Sequence, residues 1–146
     1  NIVLYFTNFT RNSSDVLEEQ VKKMKDNNTT SLLSLHALVE QAKLIKDCLI
    51  RGNIDELGEI LDYGFQQKKL LAKGISTPEI ELLYKTALKA GATGGKISGA
   101  GGGGFMFFYC PNNTKYDVIN ALDKLKMGYH QPFTWNKFGM RTWQIG

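Results

Sequence analysis

At 146 residues, 42% of them hydrophobic, the chain fits one domain with a single core and room for one site. Its 18 basic and 14 acidic residues give a net charge of +4, and the lysines alternate with acids and amides in helical stretches, a pattern typical of solvated helix faces. We therefore expect no nucleic-acid partner and, since no apolar run reaches membrane-spanning length and no signal peptide is visible, a cytoplasmic protein without a membrane partner.

Apolar residues at helical spacing dominate the first two thirds of the chain. The chain is predicted to begin with a strand over residues 2–7. Four helices then follow: one capped by Ser13 or Ser14 that fades at 26–28, one from about Thr30 to Gly52, one from Asn53 to about Leu71, and one from Pro78 to Gly91. Asn53 and Glu56 resemble a capping box, and Thr77 before Pro78 is typical of a helix start. The second helix is expected to pack His36 and to bury Leu35, Leu38, Ala42, Ile45 and Leu49.

The last third of the chain is predicted to hold most of the sheet. Its elements are strands over residues 95–98 and 105–110 around a glycine-rich loop, a fifth helix that stops at Gly128, and strands over about 129–135 and 139–145 paired as a hairpin. The hairpin should place His130, Trp135 and Trp143 on buried or half-buried faces. Helices segregated from antiparallel strands are the α+β pattern. We predict an α+β fold in which a mostly antiparallel sheet of about four strands has its helices packed on one side.

The cysteines and histidines do not follow a metal or disulfide pattern. Cys48 lies in a helical stretch and Cys110 at the end of a strand, as is typical of buried thiols in a reducing compartment. A zinc site would need both cysteines to converge with His36 and His130, so no metal site is predicted.

Eight of the fifteen glycines lie between Gly91 and Gly104. Glycine loses much conformational entropy on folding, so such a cluster needs positive φ angles or the close approach of a ligand or another backbone. A flexible linker is the alternative, but a linker would have polar flanks, and here residues 105–109 are aromatic or methionine. We interpret the cluster as a tight loop between two strands that approaches a phosphorylated ligand.

Two familiar phosphate motifs do not fit these glycines. Residues 99–104 satisfy G-x-G-x-x-G, but the dinucleotide motif opens a helix and the following residues favour a strand. Residues 91–97 are one residue short of a Walker loop and have Ile97 in place of its hydroxyl side chain. Neither motif predicts the function of this chain.

Residues 90–104, followed by an apolar strand, resemble the third, C-terminal motif of the small-molecule kinases named for galactokinase, homoserine kinase, mevalonate kinase and phosphomevalonate kinase, the GHMP kinases. Within this superfamily, residues 5–14, 52–58 and 133–141 resemble the kinases acting on D-glycero-D-manno-heptose 7-phosphate, with fucokinase-like enzymes as close neighbours. The resemblance covers almost the whole chain but only the C-terminal half of such a kinase. It implies the ferredoxin-like fold of GHMP kinase C-terminal domains.

These kinases carry their main phosphate loop, P-x-x-x-G-L-G-S-S-A, and their catalytic acid in an N-terminal ATP-binding domain, and this sequence contains neither. The resemblance therefore implies that residues 1–146 are a single C-terminal domain whose partner is its own N-terminal kinase domain. The complete enzyme would transfer the γ-phosphoryl group of ATP to a hydroxyl of a heptose phosphate or related sugar, with ATP and Mg²⁺ held mainly by the N-terminal domain. The isolated chain should be inactive, and a homodimer is compatible with the family.

Two other functions stay open from the sequence. One is a stand-alone α+β module that binds an anion or regulates without catalysis, and the other is a pseudokinase half that serves only as an interaction surface.

The resemblance also implies the site residues. Supporting residues of the ATP-phosphate site would be Ser98, Gly99, Ala100, Gly101, Gly102 and Gly103. Lys96 would either contact the ligand or face solvent from a strand edge, and the Ser98 hydroxyl would bond either the acceptor or the turn backbone. We expect Gly101→Val to abolish activity of the complete enzyme with little loss of fold.

A second group of candidate residues precedes the first helix. Arg11, with Ser13 and Ser14 at a helix N-terminus, would bind the sugar phosphate of the acceptor. Without the resemblance, the same residues would be a helix cap and a surface arginine.

Overall fold

The computed structural model describes residues 1–9, 13–26, 28–140 and 142–143. In chain order these residues form β1 (Ile2–Phe6), α1 (Ser13–Lys25), α2 (Thr29–Arg51), α3 (Leu57–Leu71), α4 (Pro78–Lys89), β2 (Gly94–Ile97), β3 (Phe105–Tyr109), α5 (Lys115–Asp123) and β4 (Tyr129–His130), with short 3₁₀ turns at Ile54–Glu56 and Lys73–Ile75. The helices and strands confirm the predicted α+β fold.

The four strands form one antiparallel sheet in the order β2-β3-β1-β4. β1 and β3 pair along their whole length, from Ile2 opposite Tyr109 to Phe6 opposite Phe105. β2 pairs with the other side of β3, and β4 pairs with the end of β1. The first strand of the chain is therefore a central strand of the sheet.

The hydrophobic core lies on one face of this sheet. Residues directly opposite each other in an antiparallel pair share a face. That face carries the fully buried side chains of Val3, Tyr5, Ile97, Met106 and Phe108. Four helices complete the core with Val16 of α1, Phe65 of α3, Ile80, Leu83, Tyr84 and Ala87 of α4, and Val118 and Leu122 of α5. Burial of each large side chain is worth about 1.5–3 kcal/mol, so this face is the main source of stability.

The opposite face of the sheet is less covered. An apolar groove of about 360 Å³ lies there, lined by Ile2, Leu4, Ile45, Leu49, Leu57, Leu61, Phe107, Phe133 and Trp135. Side chains of α2 and α3 therefore reach this face as well.

The predicted start of α4 is confirmed. The Thr77 side chain accepts a hydrogen bond from the Ile80 amide at 3.3 Å, and Pro78 is the first helical residue. This is the geometry of an N-cap followed by a proline whose missing N–H costs nothing.

The predicted capping box at Asn53 is wrong. A capping box needs the backbone N–H of its first residue free to bond the later glutamate, but the Asn53 N–H donates to the carbonyl of Cys48 at 3.0 Å. Asn53 instead bonds the Glu56 carboxylate through its side chain, at 3.3 Å. A 3₁₀ turn therefore intervenes, and α3 begins at Leu57.

The predicted buried face of α2 is correct only in part, because Leu35, Leu38 and Ile45 are half-buried and the first two pack against the core. The helix buries Ser31, Ser34, Gln41 and Cys48, whereas Ala42, Leu49 and His36 are exposed. Gln41 donates to the carbonyl of Ile60 at 2.8 Å, and its side chain fills the space where Gly64 has no Cβ. The fully buried positions of α2 therefore carry small or hydrogen-bonded side chains.

The predicted C-terminal hairpin is not formed by the described residues. β4 contains only Tyr129 and His130, which pair with β1, and Pro132 then removes a donor that a longer strand would need. His130 is half-buried as expected, but Trp135 and Trp143 are 80% and 81% exposed. Residues 141, 144 and 145 of the predicted last strand lie outside the described residues.

Both cysteines are buried free thiols, as predicted. Burial raises the pKa of both, that of Cys110 to about 11. Among the residues described, no three of His, Cys, Asp and Glu are placed to hold a metal ion. The described helices also include none that combines the length and the apolar character needed to cross a membrane.

Candidate functional site

The glycine loop, residues 98–104, connects β2 to β3 as a seven-residue hairpin loop. The Ser98 amide closes it by donating to the carbonyl of Phe105 at 2.7 Å. Five of its glycines have positive φ angles, Gly99, Gly101, Gly102, Gly103 and Gly104. The predicted tight loop between two strands is confirmed, and the linker alternative is excluded.

Hydrogen bonds to two distant segments hold the glycine loop in place. In its middle, the Gly102 amide donates to the carbonyl of Ile75, at 2.9 Å. At its end, Gly104 donates to the carbonyl of Phe9 at 2.8 Å and accepts from both the amide and the hydroxyl of buried Thr7 at 2.9 Å. The loop is therefore a fixed part of the fold although it is rich in glycine.

Close packing explains the glycine at position 101. A Cβ there would lie 2.8 Å from the Cα of Ile75 and 3.1 Å from its Cβ, and the φ of Gly101 is +113°. The expectation that Gly101→Val would leave the fold intact is wrong, because a valine would push the loop away from Ile75.

Four amides of the glycine loop remain available to a ligand. In the described part of the chain, the N–H groups of Gly99, Ala100, Gly101 and Gly103 have no hydrogen-bond partner. Backbone amides in such glycine-rich turns are the groups that bind phosphate oxygens in proteins. The loop therefore offers unused backbone donors at its surface.

Ser98 is exposed at the start of the loop. Its hydroxyl forms no hydrogen bond with any residue that the structure describes, so the expected bond to the turn backbone is not made there. Contact with the acceptor is the alternative that stays a prediction.

Lys68 on α3 is a site residue that sequence reasoning missed. It is half-buried, and its Nζ donates to the carbonyl of Gly99. Burial, and to a smaller extent the positive charge of Lys96, lowers the pKa of Lys68 to about 8. No sequence signal separates Lys68 from its neighbour Lys69, because only the packing of α3 beside β2 brings one of them to the loop.

Lys96 lies on β2, two residues before Ser98. It is half-buried, and burial lowers its pKa, so it is not a fully solvated edge lysine. The structure thus brings Lys96, Lys68 and the glycine loop together.

The second group of candidate residues is only partly described. Arg11 and the side chain of Ser13 lie outside the described residues, and Ser14 is exposed. Since α1 begins at Ser13, both serines lie inside its first turn and not at the cap position. The hydrogen bond between Phe9 and Gly104 places the chain that enters α1 beside the glycine loop.

This fold defines an α+β domain in which an anchored glycine-rich loop connects two neighbouring strands of the sheet. The family model of GHMP kinases C terminal matches residues 44–128. The chain belongs to this family of kinase C-terminal domains.

Individual relatives agree with the family match. The chain is 42% identical over 143 residues to a D-glycero-alpha-D-manno-heptose 7-phosphate kinase from Campylobacter jejuni, covering 98% of this chain and 41% of that protein. A crystal structure of a D-glycero-D-manno-heptose 1-phosphate kinase from Bacteroides thetaiotaomicron has a TM-score of 0.58 at 25% identity, covering 94% of this chain and 36% of that one. Lin0012 from Listeria innocua shares the fold with a TM-score of 0.82 at 19% identity, covering 92% and 39%. The chain thus spans roughly two fifths of the length of these relatives.

Proposed function

We propose that this chain is the C-terminal part of an ATP-dependent sugar kinase that transfers the γ-phosphoryl group to a hydroxyl of a heptose phosphate or related sugar. The observation that carries the proposal is the anchored glycine loop with its four free amides. Identity of 42% to a heptose 7-phosphate kinase over nearly the whole chain supports the substrate class. A stand-alone binding module is not favoured, because the chain is similar to heptose phosphate kinases and to a mevalonate kinase.

Phosphoryl transfer depends mainly on positioning and on stabilisation of charge that develops on phosphate oxygens. The glycine loop supplies donors that are already in place, since Thr7, Phe9 and Ile75 fix its backbone before any ligand binds. Donors that need no reorganisation are the most effective in stabilising a transition state. MgATP, when bound, supplies the phosphoryl group that is transferred. The proposal assigns ATP and Mg²⁺ mainly to an N-terminal domain, the partner of this chain.

Residues at the N-terminal side of α1 have the acceptor role in this proposal. Arg11, Ser13 and Ser14 would bind the phosphate of the sugar, and the proposal is supported by the hydrogen bond that holds Phe9, two residues earlier in the sequence than Arg11, against Gly104. Ser98 would contact the acceptor hydroxyl. A cytoplasmic location and a homodimer are further parts of the proposal.

The test is an ATP-consumption assay on the longer protein that contains this chain. We expect turnover with heptose 7-phosphate and less with fucose or mevalonate, and none from the 146-residue chain alone. Arg11→Ala should raise the KM for the sugar phosphate far more than the KM for ATP, because its guanidinium pairs with the acceptor. No ATP consumption with any sugar or sugar phosphate would refute the proposed function, and equal changes in both KM values would refute the role of Arg11.

A further inference from the structure

Lys68 and Lys96 place two positive charges beside the glycine loop. Lys68 donates to the Gly99 carbonyl, and Lys96 is near enough for its charge to lower the pKa of Lys68, after the larger effect of burial. Both side chains are half-buried. The two ammonium groups therefore repel each other in a region from which water is partly excluded.

No carboxylate balances these two charges in the part of the chain that the structure describes. The ion pairs there join Lys23 to Glu19, Lys43 to Glu40 and Lys69 to Glu81. Lys69, the next residue on α3, shows the contrast, because its Nζ lies 2.9 Å from Glu81 and 5.0 Å from the ring centroid of Phe65. Partly buried like charges without a counter-charge cost free energy, which a bound anion would recover.

We propose that Lys68, Lys96 and the free amides of the glycine loop form a binding site for a phosphate group. The donors define the ligand class, because two ammonium groups match a dianion and the amides of Gly99, Ala100 and Gly101 can bond its oxygens. In the kinase this group belongs either to the sugar phosphate or to ATP. That assignment rests on the proposed function, whereas the binding itself does not.

Lys68 has a simpler alternative role as a brace that holds the loop through the Gly99 carbonyl. A brace would need the hydrogen bond of Lys68 but not the charge of Lys96, which forms no hydrogen bond or ion pair with the described residues. A phosphate site needs both charges. Lys96→Met therefore separates the two roles without removing a contact that the fold uses.

The test is a titration of the 146-residue chain with inorganic phosphate, followed by NMR of the lysine side chains and loop amides. We expect saturable shifts of Lys68, Lys96 and the amides of Gly99, Ala100 and Gly101, with millimolar affinity. Lys68→Met and Lys96→Met should each weaken phosphate binding about tenfold or more, because each removes a charge-assisted contact. Lys46→Met, an exposed site on α2, makes the same change in net charge and should leave the affinity unaltered.

Two results would overturn the site. One is the absence of saturable shifts in the native chain, and the other is undiminished phosphate affinity in Lys96→Met. If the chain binds phosphate but the longer protein has no kinase activity, only the proposed function is refuted. If the longer protein is an active kinase but the chain shows no saturable shifts with phosphate, only this site is refuted.

The same variants in the longer protein identify the source of the phosphate. A rise in KM for the sugar phosphate alone assigns the site to the acceptor, and a rise in KM for ATP alone assigns it to the nucleotide. If Lys68→Met and Lys96→Met change neither KM, the site has no part in substrate binding and its assignment to a substrate phosphate is refuted.

Discussion

Gly99 and Gly101 are two residues apart in one loop, yet they require glycine for different reasons. Gly99 has a φ of +71° and open space where a Cβ would lie, so only its backbone conformation disfavours other residues. Gly101 has a φ of +113° and also packs directly on the backbone of Ile75. The motif therefore combines a glycine required by conformation with one required by packing.

This difference predicts distinct costs of alanine substitution. Gly99→Ala should lower the free energy of unfolding by about 1 kcal/mol, the cost of a left-handed conformation for a residue with a Cβ. Gly101→Ala should cost clearly more, about 2–4 kcal/mol, because Ile75 must also move. Urea unfolding of the 146-residue chain measures both values.

Gly52 offers a matched control for this comparison. It ends α2 with a φ of +77° and, like Gly99, has nothing within 4 Å of its missing Cβ. Gly52→Ala should therefore cost the same as Gly99→Ala. If Gly101→Ala proved no more costly than these two, the packing explanation would be wrong.

Residue-scale prediction from the sequence was successful for the loop and unsuccessful for Lys68. Glycine clusters carry their own signal, because few other residues adopt repeated positive φ angles. Lys68 and Lys69 have the same side chain and neighbouring positions, but one bonds Gly99 and the other pairs with Glu81. That choice depends on how α3 is rotated against β2, which no local pattern encodes.

At the scale of elements, the sequence predicted the features that depend on local signals better than those that depend on tertiary packing. α4 begins where Thr77 and Pro78 predict, because a cap and a proline act within one turn. α2 has the predicted length, but its buried face is set by contact with α3, where Gln41 fits against Gly64. Sequence periodicity found the helix but only part of its buried face, because Ala42 and Leu49 are exposed whereas Ser31, Ser34 and Gln41 are buried.

The cap of α4 gives a prediction at this scale. Thr77→Ala should lower the free energy of unfolding by about 1 kcal/mol, because the Ile80 amide loses its acceptor. Thr77→Ser keeps that oxygen and should retain most of the stability. Thermal unfolding of the two variants beside the native chain checks this, and equal losses for alanine and serine would show that the methyl group, not the cap, matters.

At the scale of the whole molecule, the sheet and the glycine loop both depend on the position of β1. The family match begins at residue 44, yet β1 lies between β3 and β4 and supplies the segment that bonds Gly104. A chain reduced to the matched region would leave the long edge of β3 unpaired and the glycine loop without Thr7. Unpaired hydrophobic edges promote association between molecules.

We therefore expect a chain that starts at residue 44 to be unfolded or aggregated. Circular dichroism and size-exclusion chromatography would show this directly. Removal of residues 137–146 is the control, since the described side chains there are exposed, and it should leave a folded species that does not aggregate. A soluble, cooperatively folded chain without β1 would contradict the central role of that strand.

The register of β1 and β3 also bears on how the protein is made. Ile2 pairs with Tyr109, more than a hundred residues later, and Tyr5 pairs with His130. During synthesis β1 leaves the ribosome before the strands that it pairs with, and it stays unpaired until they have followed. Such long-range pairing slows folding and lengthens the time during which apolar strands are open to wrong partners.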